Sequence, residues 1–254
     1  MKLLKAMAIA FSIYSKIPVP QFEWKEEDME YMMCFFPWIG GVIGMFFFGW
    51  AVLCEKFAVG NVCYALIGAA IPLMISGGFH VDGYMDTMDA FHSYQSREKK
   101  LEILKDSHIG AFAAIMLALY YMIDIAAISE IHTQKAVSAV AAVFFLARCF
   151  SGIAVMTLQP AKKEGLLYTF ASSAQKVRVK AALYFQAALC VVLMLLVSGW
   201  YGAAAIGAAL LSFFYFKKKS YKELGGITGD TAGFFVTVCE AAAAAAVAVA
   251  GYFL

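Results

Sequence analysis

Three aspartates lie close together in the segment 77–91, which reads GGFHVDGYMDTMDAF. Asp82, Asp86 and Asp89 are spaced i, i+4 and i+7, so a helix places them within about 60° of one another on one face. Carboxylate oxygens are the ligands that Mg²⁺ prefers, and three like charges on one face are best explained by a cation in front of them. The spacing therefore predicts a magnesium-type site, with a solvated helix face as the alternative.

Two further aspartates stand where a polar loop meets the start of an apolar segment. These are Asp106 in KDSHIG and Asp230 in LGGITGDTAGF. Helix N-termini and glycine-bordered amides bind anions, so both positions suit phosphate beside a metal-binding carboxylate. Helix capping is the alternative for each of them taken alone. His80, His92 and His108 lie nearby, and we interpret them as contacts to substrate or to metal ligands, since hard cations rarely need imidazole.

The composition indicates a membrane protein. Of the 254 residues, 63% are hydrophobic and only 15% are charged, whereas soluble domains carry about 25% charged residues. A membrane helix needs about 20 apolar residues. Segments that meet or approach that length predict about seven spans, at 35–54, 57–75, 109–128, 136–158, 181–198, 200–216 and 231–254. We therefore expect an all-α transmembrane bundle that forms a single integral membrane catalytic domain, with residues 1–31 as a cytoplasmic or interfacial segment.

The basic residues predict the orientation of this bundle. With the N-terminus in the cytoplasm, Lys and Arg of segments 2–25, 97–105, 162–180 and 217–222 all face inward, and only Lys56 and Lys135 face outward. The C-terminus then lies outside. The three long loops face the cytoplasm, so we expect the active site on that side of a bacterial cytoplasmic membrane. A net charge of +2 gives no basic field for nucleic acid.

Some residues inside the predicted spans are more simply explained by packing. Arg148 lies halfway along a span, where it must pair with a carboxylate such as Glu240 or receive an anionic substrate. Gly40 and Gly44 form a GxxxG pattern, which we interpret as close helix packing within the bundle. The cysteines form no CxxC pair, so neither a zinc site nor a disulfide framework is indicated.

The order of the motifs resembles that of cobalamin synthase, the adenosylcobinamide-GDP ribazoletransferase family of cobalamin biosynthesis. The resemblance covers nearly the whole chain and is carried by SKIPVP at 15–20, FFPWIGGVIG at 35–44, the aspartate segment, SREKKLEILKDSHIG at 96–110 and LGGITGDTAGF at 224–234. The chain departs from the family pattern at some positions: Lys16 and His108 replace arginines, Ala90 replaces a glycine, and Thr237 stands where an acidic residue is frequent.

The resemblance implies a phosphoryl transfer. A hydroxyl of alpha-ribazole, or of its 5′-phosphate, attacks the cobinamide-linked phosphate of adenosylcobinamide-GDP, and GMP leaves. One or two Mg²⁺ ions at the pyrophosphate would be held by Asp82, Asp86 and Asp89. Asp106 and Asp230 would complete the metal sphere, or one of them would take the proton of the nucleophile. Substrate contacts are then expected from Gly77, Gly78, His80, Arg97, Arg148, Lys163, Gly225, Gly226 and Gly229. Whether the chain forms a homo-oligomer is left open.

Two other classes of protein share some of these features. A CDP-alcohol phosphotransferase also uses aspartates on membrane helices, but its signature continues Asp-Gly with Ala-Arg, whereas Asp82-Gly83 is followed by Tyr-Met-Asp. A transporter is expected to carry ionisable groups at the bilayer midplane, in discontinuous helices and in related halves. Here the acidic segment occurs once, and only Asp124, Arg148 and Glu240 lie within the predicted spans.

Overall fold

The computed structural model describes residues 2–20, 23–162, 167, 172 and 174–253. Within these residues the protein is helical, and its only extended pairing is one isolated bridge between Pro160 and Ile227. Two short 3₁₀ turns, Glu26–Met29 and Met32–Cys34, connect the first two helices. The helices are α1 Lys2–Tyr14, α2 Phe36–Phe57, α3 Asn61–Ser76, α4 Phe79–His92, α5 Arg97–Ile103, α6 Ala111–Ile128, α7 Gln134–Thr157, α8 Lys176–Ser198, α9 Trp200–Leu224 and α10 Gly229–Gly251. The predicted all-α class is confirmed.

Five helices are long and apolar enough to cross a membrane: α2, α6, α7, α8 and α10. The pair α3 and α4 passes the same criteria as a sixth span, although its two halves are bent by 97°. The predicted span 200–216 lies in α9, which is not among these helices and continues into the basic run at 217–219. The described residues thus support five or six spans, fewer than the sequence predicted, and are typical of a multi-pass membrane protein.

Helices α7 and α10 form the centre of the bundle and are mostly buried, whereas α6 and α8 lie at its surface. Helix α2 packs closely on α7 because Gly40 and Gly44 have no side chains. A Cβ atom at Gly40 would lie 2.0 Å from the carbonyl oxygen of Phe144, and one at Gly44 would lie 2.2 Å from that of Ala141. The GxxxG pattern therefore serves packing inside the bundle, as predicted.

The bend between α3 and α4 decides where the acidic segment lies. Gly77 and Gly78 have φ angles of +67° and +85°, which glycine adopts without the steric cost that other residues incur. Two successive left-handed residues end α3 and turn the chain, so that α4 starts in a new direction. Because α4 packs on α6 and α10, the turn brings its aspartates against the first residues of both helices.

Candidate active site

Helix α4 meets the start of α10 through a glycine contact. A Cβ atom at Gly83 would lie 2.8 Å from the backbone oxygen of Asp230, so any larger residue would push the two helices apart. Thr228 caps α10 by accepting a hydrogen bond from the Thr231 amide at 3.1 Å. The glycine after Asp82 and the cap before Asp230 together place carboxylates from two helices at one location.

A cavity of about 450 Å³, here called the main cavity, opens at this contact. One part of its wall is apolar and includes Tyr14, Phe36 and Val155. The rest carries carboxylates, lysines and small polar residues, namely His80, Asp82, Gly83, Lys105, Ser151, Lys162, Thr228, Gly229 and Asp230. Acidic side chains next to basic ones suit a metal ion that bridges to an anionic ligand.

The carboxylates of Asp82, Asp86 and Asp230 repel one another. Asp86, which does not itself line the main cavity, interacts unfavourably with the charges of Asp82, Asp230 and Asp89, whereas Asp230 interacts favourably with Lys162. Within the part of the chain that the structure describes, no three His, Cys, Asp or Glu side chains already converge on one metal position. The donor set is nevertheless made of carboxylate oxygens, which is the chemistry that Mg²⁺ selects. Metal binding by Asp82, Asp86 and Asp230 stays a prediction, which this donor chemistry supports.

Asp89 has a different environment from the other two aspartates of α4. Its carboxylate accepts hydrogen bonds from the amides of Gly110 at 2.7 Å and Ala113 at 2.8 Å, at the N-terminus of α6. A negative charge at a helix N-terminus satisfies unpaired amides and interacts favourably with the helix dipole. The geometry therefore supports a structural role for Asp89, and its ligation of a metal stays a prediction.

Asp106 is exposed and does not line the main cavity. It accepts hydrogen bonds from the backbone amide of His108 at 3.0 Å and pairs with the His108 ring at 2.6 Å. These contacts hold the pKa of the Asp106 carboxyl below its usual value. The structure does not bring Asp106 to the other carboxylates, whereas the adjacent Lys105 does line the cavity. The sequence does not single out Lys105, because one lysine in a polar loop resembles the other basic residues predicted on that side of the membrane.

His80 lines the main cavity and is almost completely buried. Its ring is parallel to that of Tyr14, with centroids 6.1 Å apart, and neither ring nitrogen has a hydrogen-bond partner among the described residues. Buried polar atoms are nearly always satisfied, so a partner supplied by a ligand would complete this site. The predicted contact between His80 and substrate remains a prediction that this environment supports.

The predicted glycines lie in different places. Gly229 lines the main cavity, and Gly77 and Gly78 line a neighbouring groove. Gly225 and Gly226 are instead packed against protein: the guanidinium of Arg97 covers Gly225, and the backbone of residues 159–161 covers Gly226. The amide of Ile227 donates to the Gln159 oxygen at 3.0 Å, which fixes this loop. Arg97, Gly225 and Gly226 therefore shape the loop before Asp230 and do not line either space.

The cationic residues predicted to contact substrate do not all lie at the cavity. Arg148 is buried and donates to the Glu240 carboxylate at 2.6 Å, so the structure supports the pairing alternative and does not place Arg148 at the cavity. Lys163 lies outside the described residues. Its neighbour Lys162 lines the cavity and donates to the backbone oxygen of Leu101 at 2.7 Å.

The neighbouring groove, here called the side groove, has a volume of about 530 Å³. It shares Phe79 and Asp82 with the main cavity and is otherwise lined by residues at the end of α1, at the end of α3 and the bend after it, in α4 and in α6. Asp82 is therefore reached from two sides.

Comparisons with known proteins agree with one another. A family model described as cobalamin-5-phosphate synthase matches residues 6–248. A Lachnoclostridium phytofermentans protein named adenosylcobinamide-GDP ribazoletransferase is 44% identical over 98% of this chain and 95% of its own length. Two Clostridium botulinum proteins with the same name, from strains Alaska E43 and Eklund 17B, are 31% and 33% identical over 94% of this chain and 94% of their own length. No solved structure matches.

Proposed function

Since the chain belongs to the cobalamin-5-phosphate synthase family, we propose that it is an adenosylcobinamide-GDP ribazoletransferase of cobalamin nucleotide-loop assembly. The observation that carries this proposal is the 44% identity to a protein of that name over nearly the whole length of both chains. The main cavity supports it independently, because carboxylates from two helices face the same space as two lysines.

The proposed reaction is a phosphoryl transfer. A hydroxyl oxygen of the ribazole forms a bond to the cobinamide-linked phosphorus, and the bond from that phosphorus to the bridging oxygen of GMP breaks. GMP leaves with the electron pair, and the hydroxyl proton passes to a carboxylate of the cavity. Such a transfer needs little covalent participation by the protein, which must align the reactants and balance charge.

The proposed roles follow from position. Asp82 and Asp86 are one turn apart on α4, and Asp230 approaches from α10, so together they would hold Mg²⁺. When bound, Mg²⁺ neutralises charge on the pyrophosphate and orients it. Lys105 and Lys162 line the same cavity and would balance the charge of the departing GMP. We place this cavity on the cytoplasmic side of the membrane, on the basis of the distribution of Lys and Arg.

Replacement of Asp82 or Asp86 by Asn tests this assignment. The protein purified in detergent is given adenosylcobinamide-GDP, alpha-ribazole and Mg²⁺, and the release of GMP is measured together with the joined product. We expect each variant to lose about 100-fold or more in kcat, in the range found when one stabilising group is removed from an active site. Glu98→Gln, in an exposed position on α5, is the matched control.

Near-normal turnover of Asp82→Asn at saturating Mg²⁺ would exclude the metal-ligand role. If the unmodified protein joins nothing and releases no GMP, the ribazoletransferase proposal itself is wrong. Transport of a substrate across vesicles without its conversion would then favour a carrier. The broken helix at Gly77 and Gly78 is compatible with a carrier, but the comparisons do not favour one.

A further inference from the structure

The side groove lies beside the proposed catalytic aspartates and is lined mostly by residues that do not line the main cavity. Apart from Phe79 and Asp82, its lining is separate from that of the main cavity, and its polar lining residues include Ser12, Lys16, Ser76 and Tyr121. A group-transfer enzyme must bring two substrates to one reacting phosphorus from roughly opposite directions. Two spaces that meet at one metal-binding carboxylate provide such an arrangement.

Lys16 is the cationic residue of this groove. Its backbone amide donates to the Ile75 oxygen at 2.8 Å, which ties the end of α1 to the end of α3. Its aliphatic chain lies on Gly77, where a Cβ atom would come within 2.4 Å of the Lys16 Cε atom. Within the described residues the Lys16 ammonium has no hydrogen bond or ion pair, and the side chain is exposed. The fold therefore holds an available positive charge at the groove.

We propose that the side groove is the acceptor site and that Lys16 binds the 5′-phosphate of the acceptor nucleoside. This inference rests on the proposed function. The main cavity, with its two lysines, takes the pyrophosphate of the donor, whereas the single cation of the groove suits one phosphate group. The exposed ring of Phe79 and the ring of Tyr121 provide apolar surface for an aromatic base.

The test compares two acceptors, alpha-ribazole and alpha-ribazole 5′-phosphate, in steady-state kinetics of Lys16→Gln, Lys16→Arg and the unmodified protein. We expect Lys16→Gln to raise the KM for the phosphorylated acceptor about 10- to 100-fold, the effect of losing one charge-assisted hydrogen bond. The KM values for unphosphorylated alpha-ribazole and for adenosylcobinamide-GDP should stay within about threefold of normal. Lys16→Arg should preserve the discrimination, because it keeps the charge. Lys2→Gln, at the far end of α1, is the matched control.

Two kinetic outcomes would overturn the proposal. An equal rise in KM for both acceptors would show that Lys16 only packs on Gly77 and shapes the groove. A rise in KM confined to adenosylcobinamide-GDP would assign the groove to the donor.

A binding measurement separates this proposal from the proposed function. Calorimetry with alpha-ribazole 5′-phosphate alone, in phosphatidylcholine nanodiscs, should show weaker binding to Lys16→Gln than to the unmodified protein. Weaker binding to Lys16→Gln is expected even if no joined product forms. Binding without product formation would refute the ribazoletransferase proposal but not the role of Lys16. If the two proteins bind this nucleotide equally, the phosphate does not contact Lys16 and the inference fails. Addition of phosphatidylglycerol should not reduce binding; competition that depends on Lys16 would assign the cation to a lipid phosphate instead.

Discussion

Charged side chains are arranged differently at the bundle centre and at the main cavity. At the centre, Arg148 of α7 is paired with Glu240 of α10, and its guanidinium also donates to the Phe144 oxygen at 2.7 Å. At the cavity, the carboxylates of Asp82 and Asp230, which line it, and of the nearby Asp86, which does not, repel one another. A buried charge that the chain itself neutralises serves the fold. Like charges that the chain gathers and only partly balances, here through Lys162 beside Asp230, indicate a site for a ligand.

The largest effect is expected at the central pair. Replacing Arg148 by Met leaves the buried Glu240 carboxylate without its partner, which should lower the free energy of unfolding by about 3–5 kcal/mol. The double variant Arg148→Met, Glu240→Leu should recover most of this loss, because neither charge remains. Thermal unfolding in detergent measures both. A double variant as unstable as the single one would show that the pair has a role beyond mutual neutralisation.

In contrast to Arg148→Met, Asp230→Asn should reduce activity without reducing stability. Activity should fall about 100- to 1000-fold, equivalent to about 3–4 kcal/mol of lost transition-state stabilisation. The unfolding temperature should be unchanged or higher, since one of three repelling charges is gone. GMP release and thermal unfolding are measured on the same preparation. A loss of activity that simply follows a loss of folded protein would contradict the contrast between the two regions.

The smallest effect is expected for Asp89→Asn. The amide side chain keeps one acceptor oxygen, so one of the two α6 amides loses its partner at a cost of about 1 kcal/mol. Turnover per folded molecule should stay within about threefold of normal. Thermal unfolding and kcat distinguish the two interpretations. A loss of kcat as large as that expected for Asp86→Asn would restore the metal-ligand role predicted from the sequence.

The positions of Asp82 and Asp89 along α4 bear on the predicted metal site. Helical periodicity correctly indicates one face, but α-helices rise 1.5 Å per residue, so these two residues are about 10 Å apart along the axis. Two carboxylates at that separation cannot share a single cation whose ligands lie about 2 Å away, so metal ligation by both would require two ions. The angular spacing correctly predicted a common face of the helix. Because the two residues lie at different heights along the axis, however, Asp82 and Asp89 have different neighbours.

Other parts of the site were predictable to different degrees. The pairing of Arg148 with Glu240 could be anticipated, because a charge within a membrane helix needs a partner of opposite sign. The contribution of Lys105 could not be predicted, since its position at the cavity depends on the path of the loop between α5 and α6. The same holds for Lys16, which becomes a groove residue only because α1 ends against the bend at Gly77.

The sequence by itself determined the helical membrane class, the family and the aspartates that carry the proposed chemistry. The class rests on composition, the family on the resemblance of its motifs, and the aspartates on local spacing, and all three can be read from the sequence without the tertiary structure. Only the tertiary structure decided which carboxylates share a cavity, which one caps a helix and which cation faces the second space. Those outcomes depend on the bend between α3 and α4 and on the close contact of Gly83 with Asp230, where residues distant in the chain meet.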